Sequence, residues 1–374
     1  MPARQPAPRA GTTDLNLNDL LRWTVEQRGS DLHLKVGSAP HVRIDGHLMP
    51  APFEPVSARD AEKTAYAIMP KARADEFATG NESDFAYSVS GLGRFRVNVF
   101  RQRGSVGIVF RRVLPGTPSF ESLGLPSVVR RLAEEPRGMI LVTGPTGSGK
   151  TTTIAAMIDH INETRSVNIV TIEDPIEVLH TDKKAIVNQR EIGTDTTDYA
   201  QAMKRVLRQD PDVIFTGEMR DPETVWAALS AAETGHLVLS TLHTTNATET
   251  VNRIVDFFPP FQQKQVRLTL ASSLVGVASQ RLLERADGKG RVPATETLVM
   301  TGRIFDRIVD PEQGQESIED IIADGEYYGM QTFDQSLFAL YKNGLVGLRD
   351  AMAAASHPHD FRIALQQAGL DTTI

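Results

Sequence analysis

The chain has 374 residues, 40% of them apolar and 23% charged, with no cysteine and a formal net charge of -7 at pH 7. That length supports two or three domains with their own cores, and the lack of thiols excludes disulfides, thiol catalysis and Cys-ligated zinc or iron–sulfur sites. The acidic balance argues against a chain-wide nucleic-acid surface; with no apolar run near 18 residues and no signal-like segment, the expectation is a cytoplasmic protein that does not insert into a membrane.

Residues 1–13 are rich in Pro, Ala and Arg and are expected to be a disordered lead. A first domain is expected over 14–113. Leu17, Leu20, Leu21 and Val25 have helical spacing. Leu32, Leu34 and Val36 then alternate with Asp31, His33 and Lys35, which predicts a strand with the polar set outward and His33 solvated. Residues 42–48 read as a hairpin turning at Asp45-Gly46, 58–68 as a helix, and Phe85, Tyr87 and Val89 as the phase of another strand. A second hairpin follows, with Phe95, Val97 and Val99 on one face and Arg94, Arg96 and Asn98 on the other. Arginines 94, 96, 101, 103, 111 and 112 gather on it, as a solvated sheet face or as a docking surface for an anion.

Residues 114–126 have the Pro and Gly content of a linker, and a second domain is expected over 127–374. It opens with a helix over 127–134 and the apolar run 139–142, then alternates: strand 167–173, helix 199–208, strand 213–216, helix 222–234, strand 237–242. Such alternation predicts a mainly parallel sheet with helices on both faces and a ligand at the carboxyl ends of its strands. From about 261 the pattern reads as helical, with Val266, Leu270, Leu274 and Val277 in phase, broken by a short strand at 295–300 and loops at 310–314 and 325–329.

The chemistry centres on Gly144-Pro145-Thr146-Gly147-Ser148-Gly149-Lys150-Thr151, between an apolar strand and a helix beginning near Thr152. Glycines in such a loop turn backbone N–H groups inward around polyphosphate oxygens, while Lys150 and the helix terminus supply positive potential and the Thr151 hydroxyl reaches Mg²⁺. Hydrolysis also needs oxygen ligands for the metal and a positioned water. Glu173 and Glu218 end two predicted strands; Gly217 stands where a metal-facing Asp is usual, leaving Glu218 to position the water and Glu173 to join Thr151 at the metal. The same acids would also serve as caps of the helices that follow. His243 ends the strand 237–242, either sensing the γ-phosphate or serving structure, and the same alternatives hold for His236. With no Asn-Lys-x-Asp base-reading motif, the nucleotide is expected to be ATP rather than GTP.

Ser30-Asp-Leu-His-Leu, Gly93-Arg-Phe-Arg-Val-Asn, the loop 144–151, Ile172-Glu-Asp-Pro-Ile-Glu177, Arg208-Gln-Asp-Pro-Asp212, Gly217-Glu-Met-Arg-Asp221, the two-histidine stretch 234–243 and Met330-Gln-Thr-Phe-Asp-Gln-Ser-Leu337 together resemble the secretion ATPase superfamily and, within it, the PilT family of type IV pilus retraction ATPases. The resemblance implies an α/β chain, a PAS-like N-terminal α+β domain joined to a RecA-like P-loop ATPase domain with C-terminal helices, assembled as a homo-hexamer. It implies ATP and Mg²⁺ as cofactors, Glu218 as catalytic base, Glu173 near the magnesium, and Arg96 and Arg111 closing on phosphates from the N-terminal domain. Thr152, Arg208 and His236 lie in its motifs and are carried over as nucleotide contacts, with His243 beside the catalytic acids. The implied partners are an inner-membrane pilus platform protein and, where present, a paralogous motor ATPase, with the ring at the cytoplasmic face of that membrane. Two places depart from the pattern: Lys204 replaces one of two arginines spaced four apart, and 301–310, carrying Arg303 and Arg307, replaces the motif associated with retraction. The alternatives are an assembly, type II secretion or conjugation ATPase, and a nucleotide-gated adaptor that does not hydrolyse.

Overall fold

Phe95, Val97 and Val99 alternate along one strand and bury on one face of a six-stranded sheet, which is the frame of the first of two units in the chain. The computed structural model describes residues 15–44, 46–113, 116–312 and 315–372. The expected disordered lead, Asp45 of the first hairpin turn, Leu114 and Pro115 of the linker, and residues 313 and 314 lie outside the described residues. The first unit takes in the described chain to Gly116 together with Pro175–Leu179; the second takes in Thr117–Asp174 and the chain from His180.

In the first unit the order is α1 (Leu17–Glu26), β1 (Asp31–Lys35), β2 (His41–Ile44), β3 (His47–Pro50), α2 (Ala58–Ile68), α3 (Lys71–Gly80), β4 (Glu82–Val89), β5 (Gly93–Gln102) and β6 (Ser105–Val113). The sheet runs β3-β2-β1-β6-β5-β4 with antiparallel neighbours throughout. Asn16 starts α1 by accepting from the Asn18 and Asp19 amides, so Leu20 and Leu21 fall on the face that packs against Leu32, Val97 and Phe110. Phe95 and Phe110 meet edge to face with centroids 6.5 Å apart. Each fully buried ring contributes roughly 1.5–3 kcal/mol through lost contact with water, and truncating Phe95 to Ala would cost about 3–5 kcal/mol. Two readings are corrected. Asp31 is buried rather than outward, because Arg111 and Arg43 reach its carboxylate. Residues 71–80, unread in the sequence, form α3, anchored by the buried ring of Phe77.

The second unit contains α4 (Phe120–Leu123), α5 (Ser127–Ala133), β7 (Gly138–Thr143), α6 (Lys150–Thr164), β8 (Asn168–Glu173), β9 (Ile186–Glu191), α7 (Tyr199–Val206), β10 (Val213–Thr216), α8 (Pro222–Glu233), β11 (Leu237–Leu242), α9 (Ala247–Asp256), α10 (Pro260–Ser273), β12 (Leu274–Glu284), β13 (Arg291–Val299), α11 (Gly302–Val309), α12 (Ile318–Ala323), α13 (Phe333–Lys342), α14 (Leu348–Ala354) and α15 (Pro358–Gln367). Its sheet runs β13-β12-β7-β11-β10-β8-β9, parallel except for the β12–β13 pair. Every residue of β7 and β11 is buried, which explains why neither alternates apolar with polar in period two. Met139 and Leu141 pack under α7, α8 and α10, while Ile140 and Val142 pack under α5 and α6.

The helical reading of the chain from about 261 fails at β12 and β13. Leu274 and Val277 sit three apart and extend the α10 pattern by coincidence; they belong to a strand that is buried on both faces between β7 and β13, and such a strand has no period-two signature. Gly276 is required there, since a methyl group would lie 2.7 Å from both the Leu132 side chain and the Leu298 carbonyl. The linker is also shorter than 114–126, because Phe120 buries in the core beside Ile158 and stacks edge-on to His160.

Candidate active site

β7 ends at Thr143 and the chain turns at once through Gly144, Gly147 and Gly149, with φ of 144°, 80° and 93°, into α6. A methyl group on Gly144 would run into the Gln280 carbonyl and lie 2.6 Å from the Ser148 hydroxyl, so glycine is required at this point. Lys150 is buried at the first turn of α6 and donates from Nζ to the Gly144 carbonyl at 2.8 Å and the Pro145 carbonyl at 3.1 Å. Gln280 of β12 supports the loop from beneath, donating from Nε2 to the Ser148 carbonyl at 2.9 Å. The Ser148 hydroxyl and Gln280 Oε1 are buried without a hydrogen-bond partner. A loop of left-handed glycines, an enclosed lysine and an unpaired buried hydroxyl at a helix start fits the phosphates of a nucleotide.

The acids stand on the neighbouring strand ends. β8 and β10 pair in parallel, with Ile172 beside Thr216, which puts Glu173 and Glu218 together at the carboxyl edge. The Glu173 carboxylate is buried and accepts from the Thr171 hydroxyl at 2.6 Å and Gln189 Nε2 at 3.1 Å. Glu218 is paired with Arg220, and its Oε2 lies 3.9 Å from His243 Nε2 at the end of β11. Burial and the Lys150 ammonium hold His243 below the usual imidazole value, with Arg220 adding to this and Glu218 opposing it. His243 is therefore neutral near pH 7 and carries a single N–H to donate. Among the described residues no group of three or more His, Cys, Asp or Glu side chains is placed to hold a metal ion. The Thr151 hydroxyl and the Glu173 carboxylate are hard oxygen donors of the type magnesium takes when phosphates and water complete its shell, so the residues present fit the ion.

Two expected nucleotide contacts are not brought to this loop. His236 precedes β11 at its amino end, where its carbonyl accepts from the Gly138 amide at 2.9 Å, and its Nδ1 lies 2.9 Å from the Ala231 carbonyl. The phosphate loop follows the opposite end of the adjacent strand, about 20 Å away for a six-residue strand. Arg208 is exposed in the 3-10 turn Leu207–Gln209 ahead of β10, likewise at the amino edge. Lys204 is engaged with Glu223 at 2.6 Å. In the first unit, Arg96 and Arg111 are opposed across β5 and β6, both exposed, with Arg111 Nε donating to Asp31 at 2.8 Å. Burial alone would raise the Asp31 carboxyl, yet hydrogen bonds from Arg111 and Ser30 and the Arg111 charge hold it below the ordinary range.

Sequence reading missed Gln280, which lies in the strand taken for a helix, and Gln189, which lies in the unread β9. It also passed over Tyr199 at the first turn of α7, whose hydroxyl lies over Gly217.

Residues 90–325 match the family described as type II/IV secretion system protein. The chain is 43% identical to the type IV pilus retraction ATPase PilT of Pseudomonas aeruginosa over 93% of its own length and 100% of that protein. It is 40% identical to the type IV pilus ATPase PilU of the same organism, over 94% and 92% of the two chains. It is 44% identical to a twitching motility protein of Neisseria gonorrhoeae over 85% and 84%. Among solved structures, the pilus retraction motor PilT with bound ADP superposes with a TM-score of 0.85 at 47% identity, covering 93% of this chain and 99% of that one. With the phosphate loop and acidic strand ends in place, the chain is an ATPase of the type II/IV secretion system protein family and belongs, within that family, to the PilT-type retraction ATPases.

Proposed function

We propose that this chain is the protomer of a hexameric motor that hydrolyses ATP to retract a type IV pilus, working on an inner-membrane platform protein from the cytoplasmic side. The observation that carries the reading is the end-to-end match to a retraction ATPase: the alignment covers 100% of P. aeruginosa PilT. By contrast, the type II secretion protein E of Xanthomonas campestris is 35% identical and matches over only 48% of its length. Among the described residues no helix is long and apolar enough to cross a membrane.

The chemistry follows from the strand ends. The loop 144–151 holds the phosphates, and Thr151 and Glu173 would hold magnesium, which would neutralise phosphate charge. Glu218 orients the attacking water and accepts its proton, while Arg220 fixes the carboxylate. His243, neutral, donates to the γ-phosphate side. Arg96 and Arg111 are proposed to supply positive charge to the phosphates of bound nucleotide and to be released on phosphate loss, which would convert turnover into movement.

A strain deleted for the gene and complemented with Glu218→Gln tests this. Persistent, non-retracting surface pili are expected, together with a purified variant that binds ATP and scarcely turns it over. Loss of pili on deletion would move the chain to the assembly class, and wild-type turnover by the variant would overturn the role of Glu218. A second reading, a motor of the PilU kind acting beside a paralogous motor ATPase, is favoured by the comparable identity to PilU of 40%. It predicts that deletion leaves retraction intact while the paralogue is present.

A further inference from the structure

Glycine at 217 occupies the position where a P-loop ATPase usually carries a metal-facing carboxylate, and the space above it is filled. A methyl group built on Gly217 would lie 2.9 Å from the Tyr199 hydroxyl, 3.4 Å from the Ile172 carbonyl and 3.7 Å from Glu173 Cα. The phenol therefore reaches from the first turn of α7 into the gap between the ends of β8 and β10, near enough to Glu173 and Glu218 for the charges of both to act on it. Asp198 fixes that turn as the N-cap, accepting from the Gln201 amide at 2.8 Å. Among the described residues the Tyr199 hydroxyl has no hydrogen-bond partner, although it stands at the carboxyl edge of the sheet beside three carboxylates. A tyrosine hydroxyl, with an ordinary pKa of about 10, keeps its proton near neutral pH and is able to donate one hydrogen bond and accept another.

We infer that Tyr199 is a positioning residue of the hydrolysis site, its hydroxyl hydrogen-bonding a water of the magnesium shell between Glu173 and Glu218 in place of the carboxylate absent at 217. A neutral phenol is a poor direct ligand for magnesium, whereas magnesium keeps several waters when protein-bound and those waters need acceptors. An outer-shell acceptor of this kind typically contributes 10–100-fold to metal affinity. The absence of a side chain at 217 and the presence of the hydroxyl above it are then one arrangement, since a carboxylate and the phenol cannot occupy the same space. The inference rests on the assignment of Glu173 to the magnesium.

The test is binding of a fluorescent ADP analogue to the full-length protein as a function of free Mg²⁺, for wild type, Tyr199→Phe, Gly217→Ala and Glu173→Gln. Tyr199→Phe removes one oxygen and is expected to raise the Mg²⁺ concentration for half-maximal tightening about tenfold, leaving nucleotide affinity in EDTA unchanged. Gly217→Ala displaces the same hydroxyl and is expected to reproduce the shift, while adding less than about twofold in a Tyr199→Phe background. A Tyr199→Phe curve that superposes on wild type while Glu173→Gln shifts overturns the role of Tyr199 alone. If neither variant shifts, the magnesium assignment of Glu173 falls and the inference falls with it. A loss of affinity for Tyr199→Phe that is equal with and without Mg²⁺ marks a structural role and also overturns the inference.

Discussion

Arg96 and Arg111 face one another as directly opposed partners on β5 and β6, two positive charges on the exposed face of one antiparallel pair. Like charges in this position destabilise a sheet by a few tenths to about 1 kcal/mol. Asp31 offsets part of that cost through its 2.8 Å hydrogen bond from Arg111, and Arg96 is compensated more loosely, by the Glu177 carboxylate at 3.9 Å. Both carboxylate contacts are to exposed arginines and stabilise the fold little, and the proposed function gives these charges a role at the phosphates. Arg96→Ala should therefore leave stability unchanged or slightly raised while lowering ATP turnover by two orders of magnitude or more, within the range for arginines that reach a transferring phosphoryl group. Thermal unfolding and phosphate release on the same preparation check both halves. A variant with normal turnover would make the arginine face a solvated surface only.

Gln280 gives a second prediction, because the phosphate loop sits directly on it. Its amide donates to the Ser148 carbonyl at 2.9 Å and it is 2% exposed. Replacement by Leu leaves a buried carbonyl unpaired, which costs about 1–3 kcal/mol. The loop should loosen more than the chemistry suffers, so KM for ATP should rise about tenfold with a smaller change in kcat. Steady-state kinetics separate the two, and a fall in kcat at constant KM would place Gln280 in the chemical step instead.

Gly144 supports a third. Its φ of 144° and the crowding by Gln280 and Ser148 mean that even a methyl group must displace the loop. Gly144→Ala is expected to abolish nucleotide binding at concentrations that saturate wild type, whereas Gly147→Ala, with open space around the added carbon, should strain the backbone and weaken binding less. Equilibrium binding of an ADP analogue ranks the two, and the reverse order would show that backbone strain outweighs contact in this loop.

What could be read without coordinates followed periodicity. The unbroken apolar run before Gly144 and the helical spacing after it bracket the loop, and the alternation of Phe95, Val97 and Val99 fixes the inward face of β5. Periodicity gave no warning where both faces are covered: β12, packed between two strands, looks like a continuation of α10. Nor does it say which end of a strand a residue occupies in space. His236 and His243 flank the same strand at short sequence distance and stand at opposite edges of the sheet, one capping α8 and the other beside Glu218. Tyr199 was invisible for a third reason, since what matters is the hollow left by Gly217, a property of two segments meeting.

A fourth prediction concerns Glu296, which lies away from the phosphate loop. It is 4% exposed on β13 and accepts from the Ala247 amide at the start of α9 at 2.7 Å. Burial pushes its carboxyl up to about 7, with Glu319 and Asp334 adding to the rise and the Ala247 amide and Arg281 opposing it. The folded state therefore holds a proton here that the unfolded chain releases above its ordinary carboxylate value of 4.5. Stability from this group is fully present below that value, declines as pH rises toward 7 and is lost above it, a swing of about 3 kcal/mol. Glu296→Gln keeps an acceptor for the Ala247 amide and removes the titration. Its melting temperature should match wild type near pH 4.5 and exceed it near pH 8, by a few degrees for a domain of this size. Equal melting temperatures at both pH values would show that Glu296 is already ionised in the fold, with Arg281 outweighing burial.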